Sequence, residues 1–353
     1  MSNITKFIIK RRTKDESWDV RKLVTDVKLT TDMNYSAGEL DFNLIEVNDG
    51  FSVHNGDIVI FNWNHNKTFF GYIFNYELNK GGSFKVTAYD KMRYLKSTDS
   101  IMFPVSTLGQ RFNTICNFLE VKHKVMANPN HKLKSEIADD KTYFSMLQSA
   151  IDKTRRATGE HFFLRDNYGT IELRKYPHYQ IKFILGDKSL VTDYTFSRSI
   201  ENTANVIKVV KTSEIKGKKK VTTVKSVGKG AKKHQKKSTK TITTKEGKKI
   251  FTKSAEGGTV EKWGKLVYTK NITSKTNAAQ MKQEAQNLLK QKNKQENQLK
   301  ISAIGNVYLQ AGNSVMVKIK DLSQIGVGTK KYLIKKAIHN FGDKYTVDLE
   351  LRI

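Results

Sequence analysis

The chain has 353 residues, 38% hydrophobic and 10% aromatic, with 63 basic against 34 acidic side chains and a formal net charge of +29. That length supports two or three domains at roughly 100 to 200 residues each, and the apolar content excludes a disordered polyelectrolyte. A single cysteine excludes an intrachain disulfide and a cysteine metal cluster, while the charge calls for an anionic partner such as nucleic acid, a wall polymer, a membrane surface or an acidic subunit.

The first ten residues carry neither the apolar run nor the small-residue cleavage site of a signal peptide. Apolar runs elsewhere are strand-sized, so a soluble protein made in the cytoplasm is expected, with no membrane insertion. Residues 1–100 read as short strands at 18–30, 39–47, 57–63, 69–78 and 83–89, separated by glycine, asparagine and aspartate. Leu40, Phe42 and Leu44 alternate with polar neighbours, which makes a half-buried strand. Five or more such strands predict a small antiparallel β-barrel or sandwich, closed by a short helix that Asp90 caps.

Residues 101–185 change rhythm and predict an α+β module. Val105, Leu108, Phe112, Ile115 and Leu119 fall at helical spacing, as do Tyr143, Phe144, Leu147 and Ile151, with Asp139 or Asp140 as the cap and Gly159 as the end of the second helix. Asp166-Asn167-Tyr168-Gly169 makes a hairpin turn between two apolar runs. Cys116 sits in an apolar stretch and reads as a buried structural thiol.

Between Lys211 and Lys253 stand sixteen lysines against two glutamates, an excess of fourteen in a chain of net charge +29. Residues 216–258 are therefore a lysine-rich insertion, with β-forming arms around a mobile tip at Gly228-Lys229-Gly230. Lys218, Lys219, Lys220, Lys232, Lys233, Lys236 and Lys237 are the candidate contacts to an anionic partner. Residues 186–215 and 259–353 read as a second barrel that includes a helix at 276–293, where Ala278, Met281, Ala285, Leu288 and Leu289 share a face.

The two ends echo one another. Gly56-Asp57 opens a strand, Gly71 lies in the strand that returns, and a glycine turn leads to a third; Gly312-Asn313 opens the same series near the end, and Gly342 lies in its last turn. The fold class that follows is mainly β with an α+β middle: two similar small antiparallel β-barrels plus a helix-containing module. Three such chains about an axis would place six similar barrels in a ring and join a threefold object to a sixfold tube.

Gly56-Asp57-Ile58-Val59, Phe70-Gly71-Tyr72-Ile73, Val86-Thr87-Ala88-Tyr89-Asp90 and Leu95 resemble the start of the phage late control gene D and XkdQ/YqbQ-like baseplate hub proteins. The resemblance continues through Ser199-Ile200-Glu201-Asn202, Asn205-Val206, Trp263-Gly264, the helix at 278–289, Gly305-Asn306, Ala311-Gly312-Asn313 and His339. It implies a homotrimeric hub in the baseplate of a virion or phage-tail-like particle assembled in the bacterial cytoplasm, with the tail tube protein, the central spike protein and baseplate wedge proteins as partners and DNA passing through the lumen. The long lysine-rich insertion departs from the pattern.

A wall hydrolase would need two carboxyls about 5 to 9.5 Å apart. Asp139-Asp140 is the only tight acidic pair in the helical module, and it precedes a helix, where capping is the expected role. The histidines are scattered, His339 lies in a strand as a core histidine, and Gly228-Lys229-Gly230 lacks the spacing of a phosphate loop. No catalytic residue, metal ligand or cofactor is assigned. A basic nucleic-acid-binding protein is the alternative, although Phe251 is the only aromatic in the lysine-rich segment available for base stacking.

Overall fold

Apolar and polar side chains alternate through residues 4–89 at the period of a pleated sheet, and seven strands result: β1 (Ile4–Lys10), β2 (Ser17–Asp19), β3 (Val24–Asp32), β4 (Glu39–Ile45), β5 (Ile58–Trp63), β6 (Asn66–Asn79) and β7 (Ser83–Tyr89). The structure is a computed structural model, and it describes residues 3–33, 36–45, 51–80, 82–187, 189–227, 234–272 and 276–353, with side chains 213–249 outside that description. The seven strands pair in the order β3-β4-β7-β6-β5-β1-β2. Phe7, Leu29, Phe42, Phe61, Ile73 and Val86, each from a different strand, meet in one buried cluster. Strands lie roughly 4.8 Å apart, so a flat sheet would hold β1 and β3 too far apart for this, and the sheet curls round its own core. Among the described residues its hydrogen-bonded path does not close into a barrel.

A short 3-10 helix follows at residues 91–96, and Asp90 caps it by accepting from the Met92 N–H at 2.9 Å. The middle of the chain forms β8 (Thr98–Phe103), β9 (Ser106–Thr107), α1 (Leu108–Phe118), β10 (His123–Val125), β11 (Lys132–Leu133), β12 (Glu136–Thr142), α2 (Tyr143–Thr158), β13 (Phe162–Asp166) and β14 (Ile171–Lys175). Thr107 and Gln110 form a reciprocal capping box on α1. Gly159 ends α2 in the left-handed region, at φ 73°. The cap expected of Asp139 or Asp140 is a correction: Thr142 caps α2, accepting from the Ser145 N–H at 3.1 Å. The two aspartates belong to β12, which stays paired with β8 as far as Thr142, so the helix cannot begin earlier. Phe112, Ile115, Cys116, Leu147, Leu164 and Leu173 pack into the module's core. Burial pushes the Cys116 thiol up to about 12, leaving it an inert core side chain.

Contacts divide the chain into two compact units, residues 1–197 with 298–353, and residues 198–297. After β15 (Gln180–Gly186) and β16 (Val191–Ser199), the second unit holds β17 (Val206–Val227), β18 (His234–Glu256), α3 (Val260–Trp263), β19 (Val267–Ile272) and α4 (Ala278–Lys292). Here the lysine-rich arms pair as an antiparallel hairpin that runs from Val206 opposite Glu256 to Val227 opposite His234. Met281 and Ala285 of α4, the helix grouped by sequence with the second barrel, pack in this unit on Ile207 and Val209. The first unit resumes with β20 (Glu296–Ile304), β21 (Ser314–Lys318), α4's short successor α5 (Lys320–Gln324), β22 (Lys330–Phe341) and β23 (Thr346–Arg352). These strands pair in the order β16-β20-β23-β22-β21-β15, and β22 also pairs with β3.

Candidate functional site

The two glycine turns foreseen in the sequence have the same geometry. Gly56 and Gly312 stand at φ 90° and 88°, where L side chains are strained and glycine is not. Gly56 N–H donates to Ile73 O at 2.7 Å and Ile73 N–H returns to Asp57 O at 2.9 Å. In the second copy Gly312 N–H donates to Ile334 O at 2.9 Å and Ile334 N–H returns to Asn313 O at 2.8 Å. Beyond the turn, Val59 faces Gly71 as Val315 faces Tyr332. A register shift falls at Ile73/Asn75 on one side and at Ile334/Lys336 on the other.

What surrounds the turns differs. Asp57 is buried, accepts from the His54 N–H at 3.0 Å and forms an ion pair with Arg11, whose guanidinium lies 5.0 Å from the Trp18 ring. Asn313, equally buried, donates instead to Tyr308 O at 2.8 Å. Gly71 is required by close approach, since a Cβ there would lie 2.3 Å from Tyr89 O. Gly342 has open space around it. Of the lysines singled out, Lys218, Lys219, Lys220, Lys236 and Lys237 lie on the paired strands of the hairpin. Lys232, Lys233 and the tip at residues 228–230 lie outside the described residues.

The duplication reaches further than the turns. The order β3-β4-β7-β6-β5-β1 matches β16-β20-β23-β22-β21-β15 strand for strand. Leu23-Val24-Thr25-Asp26 opens β3 and Leu190-Val191-Thr192-Asp193 opens β16, an identical tetrapeptide that sequence reasoning missed because it lies outside the glycine turns. Ile45 N–H donates to Leu23 O, and Ile304 N–H to Leu190 O, both at 2.9 Å. One element departs: β1 pairs antiparallel with β5, whereas β15 pairs parallel with β21.

Ionisable groups are buried where these modules meet the helical one within the first unit. Asp90 accepts from Gly38 N–H at 2.7 Å, and burial, reinforced by the charge of Asp166, raises its carboxyl well above the ordinary range. Burial raises Asp166 to about 6. Both line a cavity of about 50 Å³, far below the roughly 300 Å³ of a small-molecule pocket. Among the described residues no three of His, Cys, Asp and Glu come together as a metal site, and no helix is long and apolar enough to cross a membrane.

His339 is buried between Phe341 and Tyr345 and shares a 2.8 Å hydrogen bond with the Tyr345 hydroxyl. Burial pushes its imidazole down to about 4. The unfolded chain takes up a proton near 6.5 while the folded chain stays neutral, so His339 stabilises fully above that pH and loses its contribution as pH falls toward 4. Between pH 7 and pH 5 the loss is on the order of 2 kcal/mol. Asp166 acts in the opposite sense, its raised carboxyl favouring the folded state at lower pH, so the measurement is a comparison. Urea midpoints of the wild type should fall relative to those of His339→Gln over this range; parallel pH profiles would contradict the assignment.

Residues 27–240 and 233–352 match the model of a family described as YQBQ-like. The phage-like element PBSX protein XkdQ of Bacillus subtilis (strain 168) is 30% identical over 156 residues, which are 44% of this chain and 48% of that protein, so the match spans about half the length of this curated relative. Two solved structures share the fold over nearly the whole length. The 43 kDa tail protein of prophage MuSo2 from Shewanella oneidensis has a TM-score of 0.65 at 12% identity, with 98% of each chain covered. The tail protein from Neisseria meningitidis MC58 has a TM-score of 0.61 at 13% identity, covering 99% of this chain and 96% of that one.

Proposed function

Because the chain belongs to the YQBQ-like family and has the fold of phage tail proteins, we propose that it is a non-enzymatic structural hub in the baseplate of a contractile phage tail or phage-tail-like bacteriocin. The observation that carries this reading is the duplication: two modules with one strand order and one turn geometry in a single chain. Three copies would set six similar modules about one axis, so that a threefold spike is matched to a sixfold tube. The partners in this reading are the tail tube protein, the central spike protein and the surrounding wedge proteins, with DNA passing through the lumen in a phage. In this reading residues 1–100 and the second β module supply the ring, and the helical middle lies outside or below it.

Light scattering of the purified chain, alone and mixed with its tail tube and spike proteins, tests the reading. Three chain masses are expected. A monomer at high concentration with both partners present would overturn it.

The hairpin supports a narrower statement about one partner. Its register places Lys216 opposite Lys245 and Lys225 opposite Lys236. The excess of lysines over acids between Lys211 and Lys253 calls for an anionic surface, and in this reading Lys218, Lys219, Lys220, Lys236 and Lys237 contact an acidic neighbouring subunit. DNA retained at low salt by the full chain, but not by one shortened by residues 216–245, would favour nucleic acid instead.

A further inference from the structure

The two modules of the chain are joined where β22 pairs with β3, and the duplication says where a second such pairing would fall. Within the chain, the C-terminal half of β22 pairs with β3 of the first module, with Lys336 opposite Asp32, Ile338 opposite Thr30, His339 opposite Leu29 and Asn340 opposite Lys28. By the matched turns and register shifts, β6 is the counterpart of β22, with Ile73 at the place of Ile334. By the shared tetrapeptide and its hydrogen bond, β16 is the counterpart of β3, with Leu190 at the place of Leu23. Among the described residues both counterparts have an outer edge in the sheet: β16 is its terminal strand, and β6 beyond Ile73 is paired with β7 on one side only.

Burial follows the same division. Where the contact is made, Ala337, His339 and Phe341 of β22 alternate as buried residues and Leu29 is 2% exposed. Where it is not, residues 75–80 are all exposed, and Leu78, at the position of His339, is 62% exposed. An apolar side chain on an exposed strand edge is a template for another strand.

We propose that the edge of β6 beyond Ile73 pairs antiparallel with β16 of a second copy of this chain, in the register of the internal β22–β3 contact. Asn75 then lies opposite Ser199, Glu77 opposite Ser197, Leu78 opposite Phe196 and Asn79 opposite Thr195 of the neighbouring copy. Each module passes its long strand to the next, inside the chain and between chains alternately. The contact is heterologous and therefore closes into a ring or runs on as a fibre; the closure at three chains rests on the hub reading above.

Directly opposite residues on paired strands bring their Cβ atoms to about 4.5–5.5 Å, close to disulfide reach. The experiment is oxidation of a chain carrying Glu77→Cys and Ser197→Cys, both exposed positions, with Cys116 buried and out of reach. Covalent dimers and trimers on a non-reducing gel, absent from either single variant, are expected. Asn75→Cys with Thr195→Cys, four residues out of register, should remain uncrosslinked; a crosslink there instead overturns the register. Particles of three chain masses that do not crosslink through residues 77 and 197 overturn the edge pairing and leave the hub reading standing. A chain that stays monomeric with its tail partners overturns both, and a ladder that extends past three chains overturns threefold closure.

Discussion

Replacing Gly312 by alanine is expected to destabilise the folded chain by about 3 to 5 kcal/mol, and replacing Gly56 by about 1 to 2 kcal/mol. Both glycines stand near φ +90°, and holding an L residue there costs on the order of 1–3 kcal/mol. The surroundings separate them. A Cβ on Gly56 meets nothing within 4 Å, whereas on Gly312 it would lie 2.3 Å from two ring atoms of Phe163. That ring belongs to β13 and is itself buried, so it cannot swing away without overpacking its neighbours, at a further 1–3 kcal/mol or so. Equilibrium urea denaturation of the two single variants checks the difference. Equal losses would mean that Phe163 yields freely and that backbone strain is the whole effect.

The second large effect concerns the helical module. Arg111 is 2% exposed, and its guanidinium donates to Ser106 Oγ at 3.1 Å and to Lys134 O at 2.6 Å while forming an ion pair with Glu136. Burial opposes ionisation of Glu136, but hydrogen bonds from Lys153 and Arg111 outweigh it and hold the carboxyl below its ordinary value. Glu136→Ala strips the buried guanidinium of its counter-charge and should cost about 3 to 5 kcal/mol. Arg111→Met alone should cost less, because Glu136 keeps Lys153 and is partly open to water. In the double variant the two losses should not add, since the buried charge that penalises Glu136→Ala is gone. Strict additivity in a double-mutant cycle would show that the pair is not coupled. In the wild type, the depressed carboxyl stabilises above the ordinary glutamate value and its contribution disappears as pH falls through the folded value.

Arg111 also marks a limit of sequence reading. On α1 it falls with Leu108, Phe112 and Ile115 on the face that helical spacing turns inward, yet nothing local says that β12 will carry Glu136 across to meet a charge there. The same limit misplaced the cap of α2: Asp139 and Asp140 look like a helix start until β12 is seen to remain paired with β8. Residues 278–292 were legible as an amphipathic helix, but the surface it covers was not, because a hydrophobic face specifies burial without naming a partner.

By itself the sequence determined what is local and covalent in character. It gave the period-2 strands of the first module, the two amphipathic helices, the hairpin arms with their lysines and the glycine turns at Gly56 and Gly312, since backbone strain at positive φ and side-chain alternation act over a few residues. The tertiary structure decided what depends on contacts distant in sequence. It decided that the strands curl into sheets joined through β22 and β3, that the tetrapeptides at Leu23 and Leu190 open equivalent strands, and that, among the described residues, β16 and the end of β6 lie at the margin of the sheet. Strand pairing is chosen by register and burial over hundreds of residues, and a backbone edge has no side-chain signature of its own; only the folded sheet reveals which edges it has already used.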